Sequence, residues 1–132
     1  MERWRKIWRD GLLPQISLSG LEALQQGLIR DDDRLLQGAT TSPPALEALA
    51  DCEVEAACAV CYCAWQGDGR RTIGEVVREF DRVCQAADVL LGEPAVCRWF
   101  LDWFDLTPRA ELRRELRGEV DRALAERRRA AA

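Results

Sequence analysis

Histidine is absent from this sequence of 132 residues. That removes the commonest general acid or base near neutral pH and the commonest transition-metal ligand. Ser/His/Asp and Cys/His catalysis, His-ligated zinc and His-held haem are therefore excluded within the chain. Lysine occurs only at Lys6, so the positive charge is almost wholly arginine, a bias expected of a GC-rich bacterial genome. Long apolar runs are missing too. The longest, Ala56 to Trp65, falls far short of the ~20 residues that a membrane-spanning helix needs. The opening "MERWRKIWRDGLLPQ" is charged where a secretory signal would be apolar, which makes cytoplasmic the expected location and a membrane partner unexpected.

An enzyme built from such a chain would depend on carboxylates, cysteine or arginine. Their spacing identifies no catalytic set, and the expectation is a non-enzymatic protein with no cofactor and no small-molecule substrate. Asp102/Asp105 and Glu53/Glu55 are unremarked acidic pairs. "DDD" at 31–33 lacks the spacing of a calcium loop and reads as a solvated turn. "WQGDGRRT" puts glycine and arginine before a helix start, but without the phosphate-loop pattern it reads as a plain turn.

What is present describes a globular protein. Hydrophobic residues make up 48% and charged residues 32%, and the length suits one domain with a core that needs no disulfide or metal staple. The net charge of −4 hides a division: residues 1–10 carry +2, residues 106–132 carry +3, and residues 11–105 carry −9. An acidic body repels phosphate backbones, so nucleic acid is an unlikely partner, and a basic protein surface suits it better.

The pattern is helical nearly throughout. Trp4, Ile7 and Trp8 recur at helical spacing, and Gly11 is placed to end that helix. Ser19 and Glu22 stand at capping-box spacing before the stripe Leu21, Leu24 and Leu28. Asp33 is a candidate cap for a short helix stopping at Gly38. "ATTSPP" reads as a linker, with Thr41 or Ser42 capping a helix that opens at Pro43 and Pro44. That helix is expected to carry "ALEALADCEVEAACAVCYCAW", with room for a break at Asp51. Thr72 and Glu75 form a second capping box for a helix running to Gly92. Pro94 opens another containing "VCRWFLDWF", and Thr107 with Pro108 opens the last, whose seam is Leu112, Leu116, Val120 and Leu124. No segment shows clear period-two alternation, and no Asn-Gly hairpin signal occurs. The expected fold is all-α, a single-domain bundle of about five to seven helices around a buried Ala/Cys-rich helix. The expected parts are N-terminal helices over 1–38 with a docking helix at 2–10, a linker at 39–44, a helical core at 45–106, and an amphipathic helix at 107–129.

Three of the six cysteines lie at Cys58, Cys61 and Cys63. At ~100° per residue, counting from Val54, Cys58 and Cys61 share a face while Cys63 points the opposite way. A single ion therefore cannot gather all three. A four-thiolate site would need Cys58 and Cys61 with Cys84 and Cys97. The favoured reading is that these are small apolar core residues. Structural metal binding or redox sensing through that set is the alternative, and disulfides rank last.

Four of the five tryptophans form two i,i+4 pairs, Trp4/Trp8 and Trp99/Trp103. The second pair reads as core. The first sits on a short terminal helix that cannot be stable alone, and packs either on its own domain or on a partner. The leading expectation is an interaction module: an adaptor, regulator or subunit of a larger bacterial assembly. Trp4, Arg5, Ile7 and Trp8 would form its docking helix, with Leu112 and Leu116 as a second seam. The partner would be another protein or a second copy, drawn by opposite charges. Nucleic-acid binding through the arginine-rich ends is a further alternative.

Overall fold

The capping box at Thr72 and Glu75 forms as expected. The Thr72 hydroxyl accepts the Glu75 N–H, and the Glu75 carboxylate accepts the Thr72 N–H. This opens α4 (Ile73–Leu91), which ends at Gly92 in the left-handed region with φ 69°. The computed structural model describes residues 1–46 and 49–132. Besides α4, its α-helices are α1 (Arg3–Ile7), α2 (Leu18–Arg30), α3 (Ala59–Tyr62), α5 (Cys97–Leu106) and α6 (Arg109–Ala131). α1 widens into a π-helical turn over Trp8–Leu12, and α3 does the same over Cys63–Gly67. The fold is all-α, with a single two-stranded pair among the described residues.

Several helix starts differ from the sequence reading. The cap of α2 is Ser17, not Ser19, and its hydroxyl accepts the Gly20 N–H. Thr107 closes α5 by donating its hydroxyl to the Trp103 carbonyl, and Pro108 alone precedes α6. No helix forms between Asp33 and Gly38. Asp31 ends α2 in the left-handed region with φ 50°, and Asp32 instead accepts from the Tyr62 hydroxyl and from Arg34.

The larger correction lies between the linker and α3. The expected helix over 45–65 is replaced, from Leu49 to Cys58, by turns and extended chain; Glu47 and Ala48 lie outside the described residues. β1 (Thr41–Ser42) pairs antiparallel with β2 (Ala56–Ala57). The Ala57 N–H donates to Arg34 and that of Cys58 to Thr40, while Val54 donates to the Arg71 carbonyl. The physical reason is backbone satisfaction. Segments 34–42 and 71–74 flank this strand on either side and leave it no helical partner groups. Along Glu53-Val54-Glu55 the side chains alternate exposed, buried, exposed, which is strand periodicity.

One core runs through the described residues. It joins Trp8 and Leu12 from the N-terminus, Leu21, Leu24 and Leu28 of α2, Tyr62 beyond β2, Val76 and Val83 of α4, Phe100 and Phe104 of α5, and the α6 seam. Close approach demands small residues at two crossings. A Cβ on Gly67 would sit 2.4 Å from the Gly20 Cα, and one on Gly11 would meet Leu91 Cδ1 at 2.7 Å. Gly11 thus serves contact with α4 rather than ending a helix.

Candidate docking surface and the cysteine pairs

The docking helix read from the sequence docks on its own chain. Trp4, Ile7 and Trp8 are buried, as are Leu112 and Leu116 of α6. Trp4 stacks flat on Trp103, with ring centroids 3.5 Å apart and planes 3° from parallel, and Trp8 lies over Phe100 at 5.4 Å. Ten residues of amphipathic helix cannot hold themselves together, and the aromatic face of α5 is the surface they bury against. The remaining candidate, Arg5, is tied down by Glu115 at 3.0 Å and Glu119 at 3.3 Å. These six residues are internal supports and not a free docking face.

Glu119 is the charged counterpart of that packing. It is 3% exposed, and Arg9 grips it with two bonds of 2.5 and 2.8 Å. Burial pushes its carboxyl up, but Arg9 and Arg5 outweigh burial and hold it below the ordinary value. Other arginines of α6 are also turned inward. Arg109 and Arg113 donate to carbonyls at the end of α2 and just beyond, and Arg127 donates to those of Ile16 and Leu13. Each satisfies carbonyl groups left open where the chain turns.

Free apolar surface lies elsewhere: Met1, Leu46 and Leu49 are exposed, and so are residues on the outer sides of α4 and α5. Val89 is 82% exposed, Leu90 57%, Trp99 52% and Leu106 83%. Trp99 thus departs from the core role expected of it. Arg3 lies 4.1 Å over its ring and pairs with Glu93 across the α4–α5 turn. Shallow concavities lie on this side. One beside Val89 and Leu90 adjoins another over Asp88, Gly92 and Pro94. Beyond Arg3, a separate open and mostly apolar hollow of about 570 Å³ lies between Trp99, Leu106 and Pro108.

The cysteines are all free thiols. Cys58 caps α3 from an extended conformation and Cys61 lies one turn on, so the two sulfurs adjoin. The Cys61 thiol donates to the Val76 carbonyl at 3.8 Å, and its own ionisation is pushed well up by Cys58 and by burial. Cys63 turns the other way, against Gly20 of α2, and burial drives its thiol well above the ordinary value. Cys84 and Cys97 form a second pair between α4 and α5. Among the described residues, no three Cys, Asp or Glu side chains come together as a metal-holding group. The four-thiolate set considered from the sequence is therefore split two and two: each pair faces inward on itself, with Cys61 also aimed at a backbone carbonyl and Cys97 at Asp88.

No helix among the described residues is long and apolar enough to cross a membrane. Compared with protein-family models, with curated proteins and with solved structures, the chain matches none of them, and any functional reading rests on its own geometry.

Proposed function

We propose that this chain is a non-enzymatic helical interaction module, an adaptor, regulator or subunit of a larger assembly, that binds a protein partner across the α4–α5 face. The observation that carries the reading is that four of the exposed large apolar side chains, Val89, Leu90, Trp99 and Leu106, lie on the two consecutive helices α4 and α5. Exposed apolar surface rimmed by polar groups is the usual mark of a protein contact. Asp88, Glu93 and Asp102 border these side chains, and the acidic body lies behind them. The partner is accordingly a segment with aliphatic or aromatic side chains flanked by basic ones. Nucleic acid fits less well, because Arg109, Arg113 and Arg127 are committed to carbonyls of the chain itself.

The test compares wild type with a Val89→Lys/Leu106→Lys variant in affinity capture from the source organism and in light scattering after size exclusion. A protein or second copy bound by wild type and lost by an equally stable variant supports the reading. Identical capture by both, with both monomeric, refutes it.

A further inference from the structure

Trp99, Asp102, Trp103 and Leu106 recur three and four residues apart on α5, so one side of that helix presents two indoles, a carboxylate and an aliphatic chain. The chain then turns through Pro108 into α6, and Glu2, Arg3 and Trp4 of the N-terminus lie opposite; these residues line the hollow of about 570 Å³. Trp4 serves it as a wall. Its ring is stacked on Trp103, and its Nε1–H is donated to Glu2 Oε2 at 2.9 Å. Trp99 is different: half its surface is exposed, and the guanidinium of Arg3 lies 4.1 Å over its ring. An indole face attracts a cation through the ring quadrupole, and a guanidinium suits it best because it is planar and weakly hydrated. The charge of the rim points the same way. Arg3 is answered by Glu93, and Glu2 is shared with Arg5 at 3.5 Å. Asp102 is exposed and takes part in no ion pair among the described residues. The hollow therefore offers aromatic and apolar surface beside a carboxylate that lacks a cation.

We propose that this hollow seats an arginine side chain of the protein partner, its aliphatic stem against Leu106 and Pro108 and its guanidinium between the indoles and the Asp102 carboxylate. The inference deepens the reading of the α4–α5 face and rests on it for the source of the arginine. Arg3 is the precedent within the chain, since it shows that a guanidinium is accepted on the Trp99 ring while its charge is met by a carboxylate. The fork of a guanidinium can give two N–H groups to Asp102 at once, which a lysine ammonium cannot do in a fixed plane. An ammonium is also more strongly hydrated and gives up more on leaving water for an indole face. Anionic groups are disfavoured, because Glu2 and Asp102 both border the hollow.

The probe is N-acetyl-arginine N-methylamide, titrated into the full chain while the indole N–H signals are followed by NMR. Its neutral isostere, the citrulline derivative, is titrated in parallel at matched ionic strength. A single anchor of this size binds at about the millimolar level. The Trp99 and Trp103 signals should shift saturably with the arginine probe, and the citrulline probe should bind at least about fivefold more weakly. Trp99→Leu removes an exposed ring without opening the core, and should weaken the response at Trp103 by a similar factor. Asp102→Asn should weaken it by about two- to fivefold, as loss of an exposed ion pair does. Equal response to the two probes, shifts without saturation, or wild-type affinity in Trp99→Leu overturns the proposal. Should Trp99→Leu fail to fold, the comparison of the two probes on wild type still decides the matter. Failure of the site and failure of the face are separable. A captured partner with no probe response overturns the arginine seat and leaves the docking face. Probe binding, with capture identical for wild type and Val89→Lys/Leu106→Lys, overturns the docking face and with it the partner as source of the arginine.

Discussion

Glu119 concentrates the electrostatics of the molecule in one side chain, because it receives both Arg9 and Arg5 while nearly shut off from water. Its carboxylate is favoured in the folded chain, so its native ionisation lies below the ordinary value of 4.5. The unfolded chain therefore binds the proton more readily. Stability from this contact is complete above pH 4.5 and is lost as pH falls through the lower native value. Glu119→Gln should cost about 2 kcal/mol at neutral pH, the scale of hydrogen bonds to charged groups. In denaturant titrations its difference from wild type should shrink as the pH is taken below that range. Gly67 makes the opposite, steric kind of prediction. An added Cβ meets backbone at Gly20 and Ser19, which cannot swing aside. Gly67→Ala should destabilise by about 2–3 kcal/mol, the upper part of the range for overpacking, read as a lowered denaturant midpoint. Neither residue stands out in the sequence. Glu119 is one of many acids on a charge-rich helix, and its two arginines are more than a hundred positions away.

Elements were legible where their signals are local. The Thr72/Glu75 box, the αL glycine at Gly92 and the four-residue repeat of α6 each act within a few residues, and each forms as read. Thr72→Ala should lower stability by about 1 kcal/mol, as loss of an N-cap does, without altering the slope of the denaturation curve. The stretch from Leu49 to Cys58 misled because its alanines favour helix while its backbone partners are distant in sequence. The one local clue was the Glu53-Val54-Glu55 alternation, outvoted by the neighbouring composition. That error also explains the cysteines. Counting helical phase from Val54 presumed a turn of helix that does not exist, since Cys58 is the cap of α3. Cys58 and Cys61 meet all the same, because a cap and the third residue after it lie on one side of the first turn. Val54→Asp should be severely destabilising, because it would bury an unpaired carboxylate between the segments that hold the strand. Loss of cooperative unfolding in circular dichroism would report it.

At the scale of the whole molecule, the question is which apolar surfaces the chain covers for itself. Both tryptophan pairs were visible in the sequence, yet Trp4 and Trp103 stack together while Trp99 is left outside under Arg3. If the α4–α5 face is free surface, Val89→Lys/Leu106→Lys should leave the melting temperature within a few degrees of wild type, as surface substitutions do. A comparable change at Trp4 or Leu116 should abolish folding. Composition and periodicity determined the helical class, the buried faces of α2 and α6 and the exclusion of histidine chemistry, because those depend on residue identity and on neighbours three or four positions apart. Only the tertiary structure decided that the N-terminal helix docks at home and that residues 53–58 run as extended chain, with β2 at Ala56–Ala57, instead of helix. Each of those turns on contacts between distant positions, and local spacing carries no record of which distant surface arrives.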